Sequence, residues 1–395
     1  MTTTATRYDT ATKDLDPPFA IVDLAAFDTN AADLVQRAAG VPIRLVSKSV
    51  RCRYLIERAL ATPGFAGLMC YSLAEALWHA EAGTSDDILV AYPTADFGAL
   101  RALAADERAR STVTIMVDSA EHLDLVDAAL GHHHPEIRVC LELDASWRPL
   151  PFLHFGTRRS PVFAPRQAAA LARKIAARPG FRLAGLMAYE GQIAGLGDAS
   201  GGRLRDFLVR WMQRRSSAEL SRRRAAAVAA VREVADLEFV NGGGSGSIEL
   251  TRAEPVVTEI AAGSGLIGST LFDGYSRFRP QPAVLFALPV VHKPARHIAT
   301  LYSGGFVASG PASATRLPSP YLPDGLRLLP FEGAGEVQTP VVGKPARDLR
   351  VGDRVWMRHA KAGELAERFT AYHVVVDGRV ERTVPTYRGE QHNFG

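Results

Sequence analysis

The position of Lys48 in the sequence suggests chemistry more directly than that of any other residue. The segment Arg44-Leu-Val-Ser-Lys48 carries an apolar, strand-like run into a lysine at its end. Burial in apolar surroundings disfavours the ammonium form, so a lysine there is costly unless it is exposed, paired or used as a nucleophilic amine. Lys48 is therefore a candidate for covalent catalysis, and an ordinary surface lysine is the alternative.

A second candidate is the glycine-rich segment Asn241-Gly-Gly-Gly-Ser-Gly-Ser247, which follows another strand-like run. Consecutive glycines let backbone N–H groups surround an anion, and serine hydroxyls add further donors. Gly263 and Ser264 follow the next strand-like run and could complete the same cradle. The pattern predicts a phosphate site, with a flexible turn as the alternative.

The elements that must position these residues alternate between short β-prone runs and helical patterns, which is typical of βα units and a parallel sheet. Catalytic groups of βα barrels lie at the carboxyl ends of the strands, and phosphate often binds after the seventh and eighth. Eight predicted strands match a closed α/β barrel of the (β/α)8 type. They cover residues 43–48, 66–70, 87–91, 113–117, 137–142, 183–189, 238–241 and 257–261.

The length of 395 residues favours two domains, because single cores usually stop growing at roughly 250–300 residues. After Tyr275 the sequence changes to short β-prone runs broken by glycine and proline. We predict a barrel domain over residues 25–275 and a C-terminal β domain over 276–395. The β-prone run 19–23 lies in an N-terminal segment, 1–24, that we expect to pair with the β domain.

Composition excludes several classes of partner. The net charge of +4 is small for this length, and no basic run is interleaved with aromatic residues, so nucleic acid is not expected. The arginine-rich stretch 203–224 is typical of a solvated helix. No apolar run approaches the roughly 18 residues that span a bilayer, so we expect no membrane. A cytoplasmic location is predicted from three unpaired cysteines, Cys52, Cys70 and Cys140.

Five segments in order resemble the motifs of D-threonine aldolases and D-serine dehydratases, which share one pyridoxal 5′-phosphate (PLP) fold type with alanine racemase. The resemblance covers nearly the whole chain. It implies a barrel that carries PLP and a C-terminal β domain that completes the site. The segments are Phe19-Ala-Ile-Val-Asp23, Arg44-x-x-x-Lys48, Ala188-Tyr-Glu-Gly191, Gly242-Gly-Gly-Ser-Gly246 and Thr258-Glu-Ile-Ala-Ala-Gly-Ser264.

The resemblance also implies roles for individual residues. Lys48 would bind PLP covalently as a Schiff base, and Tyr189 would lie near its ring. Arg159 matches an arginine that contacts the phenolate oxygen of PLP, and its neighbour Arg158 can take that place in the alignment. The phosphate would be bound by Gly243, Gly244, Ser245, Gly246, Gly263 and Ser264.

The sequence departs from these families where they hold a divalent metal through a His-x-Cys or His-x-Asp pair. His359 matches the first ligand, but Lys361 stands at the second, and a protonated lysine cannot coordinate a metal. We favour a site without metal, in which Lys361 replaces the metal charge and His359 acts as acid or base near neutral pH. Alternatively, Glu364 and His359 recruit a metal in another geometry, or the segment is a solvated turn.

The resemblance implies a PLP-dependent lyase that is a homodimer and acts on a small amino acid. The favoured reaction is aldol cleavage of the Cα–Cβ bond of β-hydroxy amino acids of D configuration. A dehydratase that deaminates the same substrates is the first alternative, and an amino-acid racemase is the next. Two readings are not catalytic: a PLP-binding homeostasis protein, and a barrel that binds another phosphorylated ligand.

Overall fold

The computed structural model describes residues 4–395. Its helices are α1 Thr4–Ala11, α2 Leu24–Ala38, α3 Arg53–Leu60, α4 Leu73–Glu81, α5 Phe97–Ala105, α6 Glu107–Thr112, α7 Ala120–Leu130, α8 Pro165–Ala176, α9 Gly191–Ala194, α10 Arg203–Arg232 and α11 Ile248–Thr251.

Its strands are β1 Phe19–Asp23, β2 Ile43–Val46, β3 Phe65–Cys70, β4 Ile88–Val90, β5 Val113–Val117, β6 Ile137–Glu142, β7 Trp147–Leu150, β8 Leu153–Phe155, β9 Phe181–Ala188, β10 Phe239–Gly242, β11 Glu259–Ala262, β12 Val284–Ala295, β13 Ile298–Tyr302, β14 Ser319–Leu322, β15 Arg327–Leu328, β16 Gln338–Val342, β17 Arg354–Arg358, β18 Ala371–Val376 and β19 Arg379–Pro385.

The described chain forms two compact units. The barrel unit comprises Asp33–Lys48, Glu57–Gly263 and Phe394–Gly395. The β unit comprises residues up to Ala32, together with Ser49–Ile56 and Ser264–Asn393. No helix among residues 4–395 is long and apolar enough to cross a membrane.

The barrel unit contains a closed barrel of parallel strands in the order β10-β11-β2-β3-β4-β5-β6-β9. Its strands are mostly buried along their length; all five residues of β5 are buried, for example. Continuous burial is typical of parallel strands covered on both faces. Met69, Leu89, Met116 and Phe239 pack together inside it. The predicted barrel is confirmed, with each strand end within a few residues of its expected place.

A buried charge cluster stabilises the barrel interior near the start of β2. Arg44 is fully buried. Its guanidinium donates to both carboxylate oxygens of Glu259, at 2.6 and 2.8 Å, and to Asp87 at 2.7 Å. Asn241 donates to the same Glu259 carboxylate at 2.8 Å. The first residue of the Arg-x-x-x-Lys segment is therefore structural, because its charge is completely paired within the fold.

The β unit is built on one mixed sheet, in which β15-β16-β13-β12-β1-β18-β19 run side by side. β1 pairs antiparallel with β12 and parallel with β18. Phe19, Ile21, Leu285 and Trp356 form part of its core, where Trp356 is 1% exposed. The N-terminal strand thus lies at the centre of the C-terminal sheet.

Candidate active site

Lys48 lies in a 3₁₀ turn, Ser47–Ser49, that directly follows β2. Its Nζ donates a hydrogen bond of 2.6 Å to the phenol oxygen of Tyr92, which comes two residues after β4. Both side chains are partly buried. The barrel strands are parallel, so these two residues extend from the same end of the barrel, where (β/α)8 enzymes hold their catalytic groups.

Arg159 lies beside two aromatic rings of this end of the barrel. Its guanidinium carbon is 5.2 Å from the centre of the Tyr92 ring and 5.5 Å from that of Tyr189. Tyr189 directly follows β9, and burial raises the pKa of its phenol to about 12. Burial alone would also raise the pKa of Tyr92, but the charge and hydrogen bond of Lys48, with the charge of Arg159, lower it below its ordinary value.

Glu142, the last residue of β6, adds a carboxyl group to this cluster. Burial raises its pKa to about 7, an effect that the charge of Arg159 opposes and that Asp118 and Asp144 reinforce. The group therefore changes its protonation near neutral pH. Carboxyls tuned in this way are common at functional sites, although buried structural groups show the same shift.

The glycine-rich loop after β10 is anchored by a buried carboxylate. Glu190 is 2% exposed and accepts hydrogen bonds from the backbone N–H of Gly243 at 3.1 Å and the hydroxyl of Ser247 at 3.2 Å. Arg224, which is fully buried, pairs with Glu190 at 2.9 Å and with Glu254 at 2.7 Å. These hydrogen bonds and ion pairs therefore hold the loop in one conformation.

The predicted solvated character of residues 203–224 is wrong at the C-terminal end of that stretch. Arg223 and Arg224 are both buried, and Arg223 donates to the backbone oxygens of Asp144 and Ser146. The run of arginines did not predict this burial, because the sequence alone does not show which turns of a long helix are covered by other elements.

Two glycines of the predicted phosphate cradle are required by the backbone itself. Gly243 has a φ of +85°, a conformation that side chains rarely adopt. A β-carbon on Gly263 would lie 2.5 Å from the backbone oxygen of Val46. Ser245 is buried, and its hydroxyl accepts the N–H of Gly263 at 3.4 Å, which links the two loops. Gly246 lies in the same turn, and Ser264 opens a 3₁₀ turn of the β unit.

His359 lies in the β unit just after β17, and it is 3% exposed. Neither ring nitrogen has a hydrogen-bond partner among the described residues. Burial, with a smaller contribution from Arg358, lowers the pKa of His359 to about 3. The expected titration near neutral pH does not fit this buried position, because burial disfavours the imidazolium. The ring is neutral there, and its unprotonated nitrogen can accept a hydrogen bond or bind a ligand.

Lys361 is ion-paired and half exposed. Its Nζ is 2.8 Å from a carboxylate oxygen of Glu364 and also donates to the hydroxyl of Ser309. The Ser309 N–H donates to the same carboxylate at 2.8 Å. Burial tends to raise the pKa of Glu364. The hydrogen bonds from Lys361 and Ser309 together outweigh that effect and lower the pKa below its ordinary value.

These residues line a pocket of about 570 Å³ within the β unit. Three arginines, Arg51, Arg368 and Arg388, share its wall with His359 and Lys361. Arg51 pairs with Glu367, whereas Arg368 and Arg388 have no carboxylate partner within the part of the chain that the structure describes. An excess of cationic groups in a pocket favours an anionic ligand.

The structure brings together, in the barrel unit, three residues that the sequence singled out: Lys48, Arg159 and Tyr189. Sequence reasoning missed Tyr92 and Glu142, although each lies at or just after a predicted strand end. A rule that inspects every polar residue at such an end would have found both.

Residues 22–270 match the family model described as the N-terminal domain of alanine racemase, which covers more than half of the chain. The chain is 28% identical over 294 residues to D-threonine aldolase from Arthrobacter sp., covering 71% of this chain and 69% of the relative. It is also 28% identical over 256 residues to 3-hydroxy-D-aspartate aldolase from Paracoccus denitrificans, covering 64% of this chain and 60% of the relative.

Two solved structures share the fold across nearly the full length. D-threonine aldolase from Filomicrobium marinum has a TM-score of 0.78 at 22% identity, covering 95% of this chain and 96% of that one. D-threo-3-hydroxyaspartate dehydratase from Delftia sp. HT23 has a TM-score of 0.73 at 21% identity, covering 94% and 97%. The resemblance read from the five sequence segments is confirmed: the chain belongs to the family of the alanine racemase N-terminal domain.

Proposed function

We propose that this chain is a PLP-dependent lyase that cleaves the Cα–Cβ bond of small β-hydroxy amino acids of D configuration. The observation that carries the proposal is the cluster of Lys48, Arg159 and Tyr189 at one end of the barrel. The glycine-rich loop follows β10 at the same end. The relatives include two kinds of D-amino-acid aldolase, which supports the choice of reaction.

The residues present fit PLP. Lys48 supplies the amine that would hold it covalently, and Arg159 supplies a cation for its phenolate oxygen. A β-carbon on Gly244 would lie 2.8 Å from that of Ala194 and 3.4 Å from the Tyr189 ring, so a side chain at this loop position is excluded. The loop residues Gly243–Gly246, with Gly263 and Ser264, would bind the phosphate. Bound PLP supplies the electron sink that accepts the charge left at Cα.

Lys361 and His359 would act on the β-hydroxyl group of the substrate. The donors around His359 do not fit a metal site: the ammonium of Lys361 occupies the Glu364 carboxylate. The described residues group three metal-binding side chains only at Cys70, Glu75 and His79 of the barrel unit. We propose that Lys361 polarises the substrate hydroxyl or carboxylate and that neutral His359 accepts a hydrogen bond from the hydroxyl group.

Product identification by NMR tests this function. The full chain loaded with PLP is incubated with D-threonine and, separately, with D-threo-3-hydroxyaspartate. Glycine plus acetaldehyde from D-threonine, or glycine plus glyoxylate from the second substrate, is the expected result. A 2-oxo acid with ammonia would instead identify a dehydratase, the activity named for the Delftia neighbour. The Lys48→Ala variant is the control for cofactor-independent turnover.

We also propose that the chain forms a homodimer, supported by an exposed apolar face of the barrel unit. Leu204, Phe207, Leu208 and Trp211 lie on one stripe of α10 and are 46–72% exposed. Trp147 of the β7–β8 hairpin contacts Trp211 with ring centres 5.7 Å apart. The hairpin extends the face with Leu150, Phe152 and Leu153, of which Phe152 is 79% exposed.

Seven exposed apolar side chains on two adjoining elements thus form one face, and a continuous exposed apolar face of this kind marks a protein–protein interface. We propose that a second copy of the chain covers it. Sedimentation analysis of Phe207→Glu is the test. A monomeric variant beside a dimeric wild type is expected, and a wild type that sediments as a monomer would refute the proposal.

The proposed location is the cytoplasm. Cys52, Cys70 and Cys140 are buried and free of disulfides. Free thiols suit a reducing compartment. Fractionation of the producing cells, with an enzyme assay on each fraction, checks this assignment.

A further inference from the structure

The pocket of the β unit carries more positive than negative charge. Four cationic side chains and two carboxylates line it. Both carboxylates, Glu364 and Glu367, are already paired with cations of the same wall. Arg368 and Arg388 are the cations that remain, without a carboxylate partner in the described part of the chain. Their charge is therefore available to an anionic ligand.

The two arginines lie on segments that the backbone joins. Arg368 directly precedes Phe369, whose backbone oxygen accepts a hydrogen bond of 2.7 Å from the buried hydroxyl of Thr386. The N–H of Thr386 donates to the backbone oxygen of Thr370 at 3.0 Å. Arg388 follows Thr386 by two residues. The pair is thus held together by the fold and does not consist of unrelated surface arginines.

An aromatic cluster positions the first of these arginines. The guanidinium carbon of Arg368 is 5.8 Å from the centre of the Phe306 ring, which also lines the pocket. Phe306 contacts Phe286 and Phe369 with ring centres 5.3 and 5.7 Å apart. A guanidinium beside an aromatic ring keeps its N–H groups for hydrogen bonds to a carboxylate or phosphate.

His359 gives an independent sign of a ligand in this pocket. It lines the same wall and is 3% exposed, and neither of its ring nitrogens has a partner among the described residues. Buried polar groups are almost always hydrogen-bonded in native proteins. The pocket therefore contains a buried imidazole that a ligand could satisfy, as well as two arginines that an anion could neutralise.

The rest of the wall favours a ligand with an apolar part. Phe306, Val307 and Leu365 line the pocket beside the charged groups. Its volume of about 570 Å³ lies within the range of roughly 300–1,000 Å³ that is usual for small-molecule sites. Methylene groups are stabilised by burial against such side chains. The pocket therefore suits a chain of methylene groups that ends in an anion.

We propose that Arg368 and Arg388 bind the anionic end of the substrate side chain. The preferred substrates are β-hydroxy amino acids with at least one methylene group between the β-carbon and a carboxylate or phosphate. The inference rests on the proposed function, in which Lys361 and His359 contact the β-hydroxyl group. Cleavage of the Cα–Cβ bond then gives glycine and an aldehyde that keeps the anionic group.

Binding of side-chain fragments tests the pocket without turnover. The probes are 3-hydroxypropionate, 2-hydroxyethyl phosphate and uncharged 1-propanol, titrated into the full chain in the presence of PLP and followed by saturation-transfer NMR. We expect both kinds of anion, or one of them, to bind at least about tenfold more tightly than 1-propanol. Arg368→Met and Arg388→Met should each weaken that binding about tenfold to a hundredfold, as for loss of a hydrogen bond to a charged group.

The matched control is Arg347→Met. This arginine is exposed and lies in the β unit outside the pocket lining, so its loss changes the net charge equally. It should leave the affinity of the anionic probes unchanged. Equal losses in the control, or unchanged affinity in both pocket variants, would overturn the proposal. The tighter of the two anionic probes identifies the end group as a carboxylate or a phosphate.

Turnover extends the test to complete substrates. The wild type should cleave 3-hydroxy-D-glutamate, or its phosphate counterpart 4-phosphooxy-D-threonine, with a kcat/KM at least about tenfold above that for 3-hydroxy-D-norvaline, which ends in a methyl group. Each pocket variant should lose most of this preference, whereas Arg347→Met should keep it. A wild type that prefers the methyl-ended substrate would contradict the proposal. Arginine-dependent binding of the anionic probes without cleavage of any amino acid would refute the proposed function and leave the anion site in place.

Discussion

The barrel unit and the β unit each place a lysine among polar side chains, and the partners of the two lysines differ. Lys48 contacts the phenol of Tyr92. Lys361 contacts the carboxylate of Glu364 and the hydroxyl of Ser309. A carboxylate places a negative charge beside its lysine, whereas a phenol offers a polar hydroxyl group.

This difference assigns the two lysines to different chemistry. Lys48 directly follows a barrel strand, where its amine is placed for covalent attachment of a cofactor. Lys361 is paired with a carboxylate and is suited to act through its charge. Lys48 is thus suited to covalent catalysis, and Lys361 is suited to electrostatic stabilisation of the substrate.

The largest effect is expected from removing Lys48, the proposed nucleophile. Lys48→Ala should lower the rate of amino-acid cleavage by at least about a thousandfold, because no other amine among the proposed site residues of the barrel is placed to bind PLP covalently. Borohydride treatment followed by peptide mapping should find the cofactor on Lys48 in the wild type. The exposed Lys174→Ala is the control. Cofactor trapped on another lysine of the wild type would break the assignment.

Much of the barrel site was predictable from the sequence. The alternation of apolar strands and helices predicted the barrel, and strand ends therefore predicted the place of Lys48 and of the glycine-rich loop. Such arguments work because a parallel barrel brings every strand end to one mouth, whatever the loops contain.

What the sequence could not predict depends on contacts between distant segments. Tyr92 meets Lys48 across 44 residues, and Glu190 holds Gly243 across 53. The neutral state of His359 depends on burial by the β unit, which no local pattern reveals. The sequence shows that Lys361 stands where a metal ligand is expected, but its ion pair with Glu364, three residues later, follows only from the structure.

The second effect concerns the network beneath the glycine-rich loop. Arg224→Met leaves Glu190 and Glu254 buried without their cation, and we expect a loss of about 3–5 kcal/mol in the free energy of unfolding. Urea denaturation measures it. Arg222→Met, at an exposed position on the same helix, should cost less than about 0.5 kcal/mol. Equal losses in the two variants would mean that the buried ion pairs contribute nothing specific.

The third effect uses the raised pKa of Glu142, a group that neither lysine touches. The folded protein keeps this proton up to about pH 7, whereas the ordinary value is 4.5. Its contribution to stability is therefore complete below the unfolded pKa and is lost as pH rises through the folded one. Glu142→Gln should resemble the wild type at acidic pH and be more stable by up to about 3 kcal/mol at mildly basic pH in the cofactor-free chain.

Denaturation midpoints measured across this pH range check the prediction. A variant whose stability parallels that of the wild type at every pH would show that Glu142 ionises at an ordinary value. In that case its protonation would not influence the charge around Tyr92 near neutrality.

The smallest effect is expected at Lys361, and it distinguishes the role of this lysine from that of Lys48. Lys361→Met should lower kcat/KM for β-hydroxy amino acids by about a hundredfold, as for loss of one group that stabilises developing charge. It should leave PLP attachment at Lys48 unchanged. Lys344→Met, at an exposed lysine of the β unit, is the control.

Lys361→Asp extends the same test. It restores the His-x-Asp spacing of the metal-dependent families, with neutral His359 already able to serve as a ligand. We expect this variant to gain activity on addition of a divalent cation and to lose it with a chelator, while the wild type responds to neither. Inactivation of the wild type by a chelator would instead mean that Glu364 and His359 hold a metal, and that Lys361 is not its replacement.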